Sequence, residues 1–206
     1  DLLNCLFGHF PLLPGGEVTC EANPGTLTEA FCAVLRARGV SRLSLGAQAR
    51  QERLLRTLGR AQGWEAVEES FCLARGAGFD NISLDLMFGL PGQSQTHWRE
   101  TLEAALSLAP EHLSCYGLLL EEGTPLHRLA AAGEVALPPE AAERGMYQDA
   151  LRLLAQAGLP PYEISNFARP GRACCHNLGY WQGAYYLGFG VAAHSRMMCP
   201  PEKGAY

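Results

Sequence analysis

The chain has 206 residues with a formal net charge of −5, and 48% of its residues are hydrophobic. This length and composition predict one domain with a substantial core and an appendage, and the acidic balance gives no basic surface for nucleic acid. No apolar run reaches the roughly 20 residues that cross a bilayer, and no secretory signal is visible, so we expect no transmembrane segment and a cytoplasmic protein.

Strands and helices alternate along the first part of the chain, as far as Leu120. After the first strand, Thr26 and Glu29 have the capping-box spacing that opens a helix ending at Gly39. Such alternation predicts parallel strands joined by right-handed helical crossovers. The predicted helices cover residues 1–13, 26–38, a segment up to about 58, 64–74 and 96–108, and the predicted strands cover residues 17–21, 42–48, 82–87 and 112–120.

The alternation ends after Leu120. We predict a short helix over residues 124–132, a longer helix that Pro138 or Pro139 opens and that runs to Gly158, and an edge strand over residues 162–168. The tail is rich in glycine and aromatic residues.

Cysteine use predicts a reducing environment rather than a disulfide framework. Most cysteines lie singly in apolar runs, where a thiol behaves as a small hydrophobic group. No CxxC occurs, and adjacent cysteines have poor geometry for sharing one metal, so we expect no metal site from them. The eight cysteines are Cys5, Cys20, Cys32, Cys72, Cys115, Cys174, Cys175 and Cys199.

Polar side chains lie at or near the ends of the predicted strands. Asp85 interrupts an apolar run that ends in Gly-Leu-Pro-Gly, and a carboxylate there is costly unless it is paired. Taken alone, Asp85 would be interpreted as a cap on the following loop. Because the carboxyl ends of parallel strands meet at one edge, we expect the polar side chains at these ends to converge on one ligand. The side chains suit a ligand with ribose hydroxyls, an amine and a carboxylate. The residues concerned are Glu21, Gln48, Arg60, Asp85, Tyr116 and Gly117.

Several motifs carry a family resemblance that spans nearly the whole chain. They are EANPGT (21–26), RLSLGAQ (42–48), LGR (58–60), DLMFGLPGQ (85–93), HLSCYGLLLEEGTP (112–125), YEISNFARPG (162–171) and HNLGYW (176–181). In this order they closely resemble the radical S-adenosylmethionine (radical SAM) proteins of the oxygen-independent coproporphyrinogen oxidase group, specifically the HemW-type haem chaperone branch.

The resemblance implies an α/β fold, a partial (β/α)6 TIM-like barrel that lacks its first two strands. It places this barrel at residues 1–122 and a C-terminal α+β extension at residues 123–206. It also implies that S-adenosylmethionine and a 4Fe–4S cluster bind in the full-length parent.

By position, four side chains match family residues that contact S-adenosylmethionine, and Gly117 matches a weaker backbone contact. The chemistry agrees, because carboxylates accept from ribose hydroxyls or the methionyl amine, and Arg60 can bond a carboxylate through two N–H groups. The four side chains are Glu21, Gln48, Arg60 and Asp85.

The chain departs from the family pattern in three places. The CxxxCxxC loop that holds the cluster and the Gly-Gly-Thr-Pro segment are both absent, and Ala49-Arg50 stands where relatives carry a serine and an aromatic residue. We therefore expect an N-terminally truncated fragment that neither holds the cluster nor performs radical chemistry alone, so its status as an enzyme stays open. We also expect the strand over residues 17–21 to be an unpaired barrel edge.

Two later motifs have competing interpretations. His176 can supply an axial imidazole to haem iron, with Tyr180 and Trp181 packing on the porphyrin. Alternatively, His176 and Asn177 cap a turn while the aromatic residues fill the core of the extension. For Glu163 we favour a packing role, in a strand that covers the barrel mouth, over a catalytic one.

Three functions remain open from the sequence. The leading hypothesis is that the parent binds haem and passes it to acceptor proteins. The alternative within the superfamily is coproporphyrinogen III oxidase (dehydrogenase) activity in porphyrin biosynthesis. A hypothesis of another class is a non-catalytic α/β module that binds a nucleoside at the strand ends.

Overall fold

A computed structural model describes residues 2–198, so Cys199 lies outside the described residues. The chain divides into two compact units, Asp1–Arg172 and Ala173–Tyr206. In chain order the elements are α1 (Leu2–His9), β1 (Thr19–Ala22), α2 (Glu29–Ala37), β2 (Arg42–Gln48), α3 (Glu52–Thr57), α4 (Trp64–Gly76), β3 (Ile82–Phe88), α5 (Gln95–Ser107), β4 (His112–Gly117), α6 (Pro125–Ala131), α7 (Glu140–Gln156), β5 (Asn166–Ala168) and α8 (Cys175–Trp181).

The five strands form one sheet in the order β1-β2-β3-β4-β5. The first four strands are parallel to their neighbours, and β5 is antiparallel to β4. This sheet with its intervening helices confirms the predicted α/β class. Within residues 2–198, β1 pairs only with β2, which confirms that it is an edge strand.

One face of the sheet packs against the helices and holds the core. We call it the helix face, and its strand residues are Leu43, Leu45, Ala47, Ile82, Leu84, Leu86, Phe88, Leu113, Cys115 and Phe167. The register aligns these residues in rows, for example Leu45 with Leu84 and Leu84 with Leu113. Trp98 and Leu102 of α5 are four residues apart, which places them on one face of the helix, and both are fully buried in the same cluster.

Helix α7 belongs to the first compact unit because it packs against α5. The indole nitrogen of Trp98 donates to the carbonyl of Met146 at 2.7 Å, and Arg99 pairs with the buried Asp149 at 2.6 Å. The unit boundary after Arg172 therefore follows packing. The family resemblance implies a boundary between the barrel and its extension at residues 122 and 123. The compact units do not test this boundary, so it stays a prediction.

Several local predictions were wrong in detail. The N-cap of α2 is Thr28, whose hydroxyl accepts from the backbone N–H of Phe31 at 3.1 Å. Thr26 instead donates to the carbonyl of Asn23 at 2.6 Å, which closes the turn after β1. Strand β4 ends at Gly117, and β5 covers only the last part of its predicted range, because only these residues find a partner strand.

Over residues 2–198, no disulfide joins the described cysteines, residues 5 to 175. Cys32, Cys115 and Cys174 are buried, whereas Cys5, Cys72 and Cys175 are exposed. Over the described part of the chain, no helix is both long enough and apolar enough to cross a membrane.

Candidate ligand site at the carboxyl ends of the strands

The sheet face opposite the helices is polar. We call it the polar face, and its strand residues include Arg42, Ser44, Ser83, Asp85, His112, Ser114 and Asn166. The register aligns Gly46, Asp85, Ser114 and Asn166 in one row across β2 to β5. A parallel strand that is covered on both faces normally reads as a continuous apolar run, so this row of polar groups marks a face with a use other than packing.

Asp85 lies in the middle of this row. The hydroxyl of Ser44 lies 3.1 Å from one carboxylate oxygen of Asp85 and 3.0 Å from the other. Burial raises the pKa of the Asp85 carboxyl, hydrogen bonds from Ser114 and Ser44 and the charge of Arg42 act against that shift, and the charge of Glu21 adds to it. Asp85 is therefore a desolvated acceptor whose environment favours a cationic or hydroxyl-bearing ligand.

The loop after β3 is stabilised without Asp85, so the interpretation of this residue as a loop cap was wrong. The side-chain carbonyl of Gln93 accepts from the N–H of Leu90 at 3.1 Å, and its amide donates to the carbonyl of Met87 at 3.2 Å. Gly89 and Gly92 in this loop both have positive φ angles, which glycine adopts without strain. Gln93 thus leaves the Asp85 carboxylate available at the strand end.

Gly46 is the point on which three polar side chains converge. A Cβ atom here would lie 3.0 Å from Nε2 of Gln48, 3.8 Å from Oδ1 of Asn23 and 3.9 Å from Nη1 of Arg60. Gly46 is also the register partner of Asp85. The structure therefore brings Gln48, Arg60 and Asp85 to one edge of the sheet, at a position where an added Cβ atom would crowd the Gln48 amide and reach ordinary contact distance from Arg60.

Gln48 is held in a strained conformation at the end of β2. It is not a glycine, yet its φ angle is 60°, and the ladder between β2 and β3 is irregular between Gly46 and Gln48. A hydrogen bond of 2.8 Å joins the N–H of Ala49 to the carbonyl of Ala47 and closes a three-residue turn. Left-handed backbone at a non-glycine residue costs about 1–3 kcal/mol and is concentrated at functional sites.

The two remaining predicted residues differ in their placement. Glu21 is the register partner of Ser44, and its charge acts on the Asp85 carboxyl, so it borders the same edge. Gly117 lies at the end of β4, where a Cβ atom would meet Glu143 at 3.1 Å and Phe88 at 3.4 Å. Its α-carbon therefore faces α7 and the helix face, and it does not join the group around Gly46.

Sequence reasoning missed Asn23, Ser44 and Ser114. The sequence did contain a signal for the two serines, because polar and apolar residues alternate along β2 and β4. Such alternation indicates a strand with one polar face, whereas a strand buried on both faces is apolar throughout. Tyr116, which was predicted from its strand-end position alone, also interacts with several residues of the polar face. Burial raises the pKa of its phenol, the charges of Asp85 and Glu163 act in the same direction, and hydrogen bonds with Ser114 and Asn166 oppose it.

A second polar group lies at the other end of β4. His112 is fully buried, its Nδ1 lies 2.8 Å from the hydroxyl of Ser83, and its Nε2 lies 2.8 Å from the hydroxyl of Tyr162. Burial and the nearby charge of Arg42 lower the pKa of His112 to about 3. The imidazole is therefore neutral, and it links the amino end of β4 to the YEISNFA segment, whose role in covering the barrel mouth stays a prediction.

The HNLGYW motif, considered within its own unit, lies on α8, a helix that the sequence did not predict. His176 and Tyr180 stack edge to face with ring centroids 4.5 Å apart, and Tyr180 contacts Tyr186 in the same way at 4.6 Å. Tyr180 is 48% exposed and Trp181 is 59% exposed, so the alternative in which they fill the core of the extension is wrong. The structure instead presents an exposed aromatic cluster beside an exposed imidazole.

Over residues 2–198, no group of three or more His, Cys, Asp or Glu side chains is placed to hold a metal ion. The donor set at the strand ends consists of carboxylates, an amide and a guanidinium, which suits an organic ligand with amine, hydroxyl and carboxylate groups. The described residues therefore fit a molecule such as a nucleoside–amino acid conjugate, and they do not fit an iron–sulfur cluster.

The fold and the site define a partial α/β barrel with a polar ligand edge at the carboxyl ends of its strands. The sequence profile of the Radical SAM superfamily matches residues 5–105. Heme chaperone HemW of Bacillus subtilis (strain 168) is 44% identical over 178 residues, which are 86% of this chain and 47% of the relative. Heme chaperone HemW of Escherichia coli (strain K12) is 38% identical over 203 residues, which are 98% of this chain and 52% of the relative.

Among solved structures, coproporphyrinogen III oxidase (HemN) from Escherichia coli superposes with a TM-score of 0.77 at 26% identity, over 94% of this chain and 47% of that protein. The chain belongs to the radical SAM superfamily, in its coproporphyrinogen III oxidase-like, HemW-type family. It spans about half the length of the curated relatives that it matches.

Proposed function

We propose that this chain forms the part of a HemW-type radical SAM protein that binds S-adenosylmethionine at the carboxyl ends of β1 to β3. The observation that carries the proposal is the convergence of Gln48 and Arg60 on Gly46, the register partner of Asp85. Carboxylate, amide and guanidinium at this spacing complement an amine, ribose hydroxyls and a carboxylate.

Each side chain has a role in this proposal. The carboxylates of Asp85 and Glu21 accept from the ribose hydroxyls or the methionyl amine. Arg60 donates to the methionyl carboxylate, and Gln48 donates or accepts at the edge between them. When a 4Fe–4S cluster is present in the parent protein, it supplies the electron that cleaves the sulfonium, while the residues of this chain orient the cofactor.

Equilibrium dialysis with labelled S-adenosylmethionine tests the proposed site on the chain as it stands. We expect Asp85→Ala and Arg60→Ala each to weaken binding about tenfold or more, because a hydrogen bond to a charged group contributes about 1.5–3 kcal/mol. Matched controls are Asp80→Ala, in an exposed aspartate that pairs with Arg172, and Arg56→Ala, in an exposed arginine that pairs with Glu52. Equal affinity in all five proteins would refute the assignment.

The second part of the proposal is that the parent protein carries haem and delivers it to acceptor proteins. It is supported by the name of the curated relatives and by the exposed imidazole and aromatic rings of α8. His176 would supply the axial ligand, and Tyr180 and Trp181 would cover the porphyrin face.

Haem titration tests the role of His176. We expect His176→Ala to shift or remove the Soret band of the bound complex, whereas His194→Ala, in an exposed histidine of the same unit, leaves it unchanged. Identical spectra for both variants and the wild type would exclude His176 as the ligand.

An alternative is coproporphyrinogen III oxidase activity in porphyrin biosynthesis, which is supported by the structural likeness to that enzyme from Escherichia coli. Turnover of coproporphyrinogen by the parent protein would favour this alternative over haem delivery. If the strand-end site binds a nucleoside in a parent that shows neither activity, the non-catalytic nucleoside-binding module would remain. The cytoplasmic location that the sequence indicated stays a prediction.

A further inference from the structure

Asn23 contacts Arg60, the arginine that is proposed to bind the ligand. It follows β1 in the EANPGT motif, and its Oδ1 accepts from Nη1 of Arg60 at 2.6 Å, across 37 residues of sequence. Over residues 2–198, no other hydrogen bond or ion pair reaches the Arg60 guanidinium. One N–H of the guanidinium is therefore fixed by Asn23, and its other N–H groups remain available for a ligand.

The backbone of Asn23 is itself anchored. Its carbonyl accepts from the N–H of Thr26 at 3.1 Å and from the Thr26 hydroxyl at 2.6 Å. The N–H of the next turn residue, Gly25, donates to the hydroxyl of the buried Ser70 on α4 at 2.9 Å, and a Cβ atom at Gly25 would lie 3.3 Å from Cγ of Gln62. The turn that carries Asn23 is thus attached to α4 and to the loop that carries Arg60.

We propose that Asn23 is a positioning residue, which holds Arg60 over Gly46 so that its remaining N–H groups meet the carboxylate of the ligand. The proposal rests on the proposed S-adenosylmethionine site and assigns the discrimination of the amino acid end of that ligand to the pair of Asn23 and Arg60. An arginine side chain has large rotamer freedom in solution, and fixing it before binding removes that entropy loss from the binding step.

Binding of two ligands separates this role from a general structural one. S-adenosylmethionine carries the methionyl carboxylate, whereas 5′-methylthioadenosine shares the nucleoside and the sulfur atom but lacks the amino acid end. We expect Asn23→Ala to weaken binding of S-adenosylmethionine about five- to tenfold and to leave binding of 5′-methylthioadenosine within about twofold. Asn23→Asp keeps an acceptor oxygen in the same place, so it should restore most of the lost affinity.

Thr26→Ala is the matched control, because it removes a hydrogen bond from the same turn and leaves the Asn23 side chain in place. We expect it to change the two affinities in parallel, if at all. Asn23 is exposed, so thermal melting should show that Asn23→Ala is folded. Isothermal titration calorimetry of the four proteins with both ligands gives all the affinities.

The outcomes separate the two proposals. If the wild-type chain binds neither ligand, the proposed site fails, and the role of Asn23 fails with it. If the wild type binds both ligands and Asn23→Ala weakens both equally or neither, the site stands and the positioning role is refuted. A loss confined to S-adenosylmethionine, with recovery in Asn23→Asp, supports the positioning role.

Discussion

The two faces of the sheet are made from alternate residues of the same strands, yet they differ in every physical property. On the helix face, Leu45, Leu84 and Leu113 lie side by side and are fully buried against the helices. One residue further along β3 and β4, Asp85 and Ser114 form part of a polar row. The period of two that all strands share places packing on one face and ligand chemistry on the other.

The comparison shows where stability and function are separated in this fold. The helix face gains free energy from each buried methyl group, whereas the polar face holds a desolvated carboxylate, a strained Gln48 and a neutral buried His112. Each of these features destabilises the fold under some condition and is useful only for binding or for a specific connection. Substitutions on the helix face should therefore mainly lower the free energy of unfolding, whereas substitutions at the ligand edge of the polar face should mainly change ligand binding.

The largest effect is expected from the helix face. Leu84→Ala should lower the free energy of unfolding by about 3 kcal/mol, because it removes a fully buried side chain between two packed neighbours and leaves a cavity. Ser44→Ala on the polar face should cost less, about 1.5 kcal/mol, the lower end of the range for a hydrogen bond to a charged group. Urea unfolding measures both values, and equal losses would show that the faces are not energetically distinct.

The second-largest effect on the free energy of unfolding is expected when the pH is lowered. The folded-state pKa of His112 is about 3, below its unfolded value, so the unfolded chain binds the proton more readily and stability is lost as the pH falls below about 6.5. Between about pH 7 and about pH 5 the expected loss from this group is up to about 2 kcal/mol.

Urea unfolding as a function of pH measures the effect of acid on His112. His112→Asn should be less stable at neutral pH, because it loses the bonds to Ser83 and Tyr162, but its stability should depend less on pH over this range. His194→Gln, in an exposed histidine, serves as the control. A wild-type slope that His112→Asn leaves unchanged would contradict the prediction.

A smaller effect of opposite sign is expected at the end of β2. Gln48→Gly should raise the free energy of unfolding by about 0.5–1 kcal/mol, since glycine adopts a φ of 60° without strain. The same change should weaken binding of S-adenosylmethionine, because the amide is lost. Ala47→Gly, at the neighbouring buried position, should instead destabilise the fold by about 0.5–1 kcal/mol. Thermal melting and dialysis on each variant would separate the two properties, and a destabilised Gln48→Gly would argue against strain.

The smallest effect on stability is expected at Asp85. Burial raises the pKa of this carboxyl, so its ionised form weakens the ligand-free fold as the pH rises from below the unfolded pKa through the folded one. Asp85→Asn keeps the shape without the charge and should raise the free energy of unfolding at neutral pH by less than about 1 kcal/mol. The gain should vanish below about pH 4, where the wild-type carboxyl is also neutral. A clear loss of stability at neutral pH would mean that the Asp85 charge is well compensated in the ligand-free fold.

The sequence predicted the elements better than their boundaries. Strand β2 matched its predicted range, and α4 and α5 lay within two residues of theirs, because these segments have long periodic patterns between glycine breaks. The cap of α2 was wrong because Thr26 and Thr28 both precede the helix, and only the three-dimensional turn decides which hydroxyl faces the open N–H groups. Helix α8 was missed because a seven-residue helix with no buried residue has little periodic signal.

For the candidate site, strand-end position alone pointed to Glu21, Gln48 and Asp85, since parallel strands must bring their carboxyl ends to one edge. Gly117 shows the limit of that reasoning, because a strand end has two faces and its α-carbon lies toward Glu143. The haem ligand role of His176 stays a prediction, while the exposure of its aromatic neighbours removes the core alternative.

The sequence by itself determined the order of strands and helices, the apolar stripe of each helix and the polar groups at the strand ends, because these depend on residues close together in the chain. Only the tertiary structure decided that Ser44 supports Asp85 across 41 residues and that Asn23 holds Arg60 across 37. Such contacts depend on strand register, on the irregular turn at Gln48 and on the space left by Gly46. Register and turn geometry are set by the packing of the whole sheet, so no local pattern could specify them.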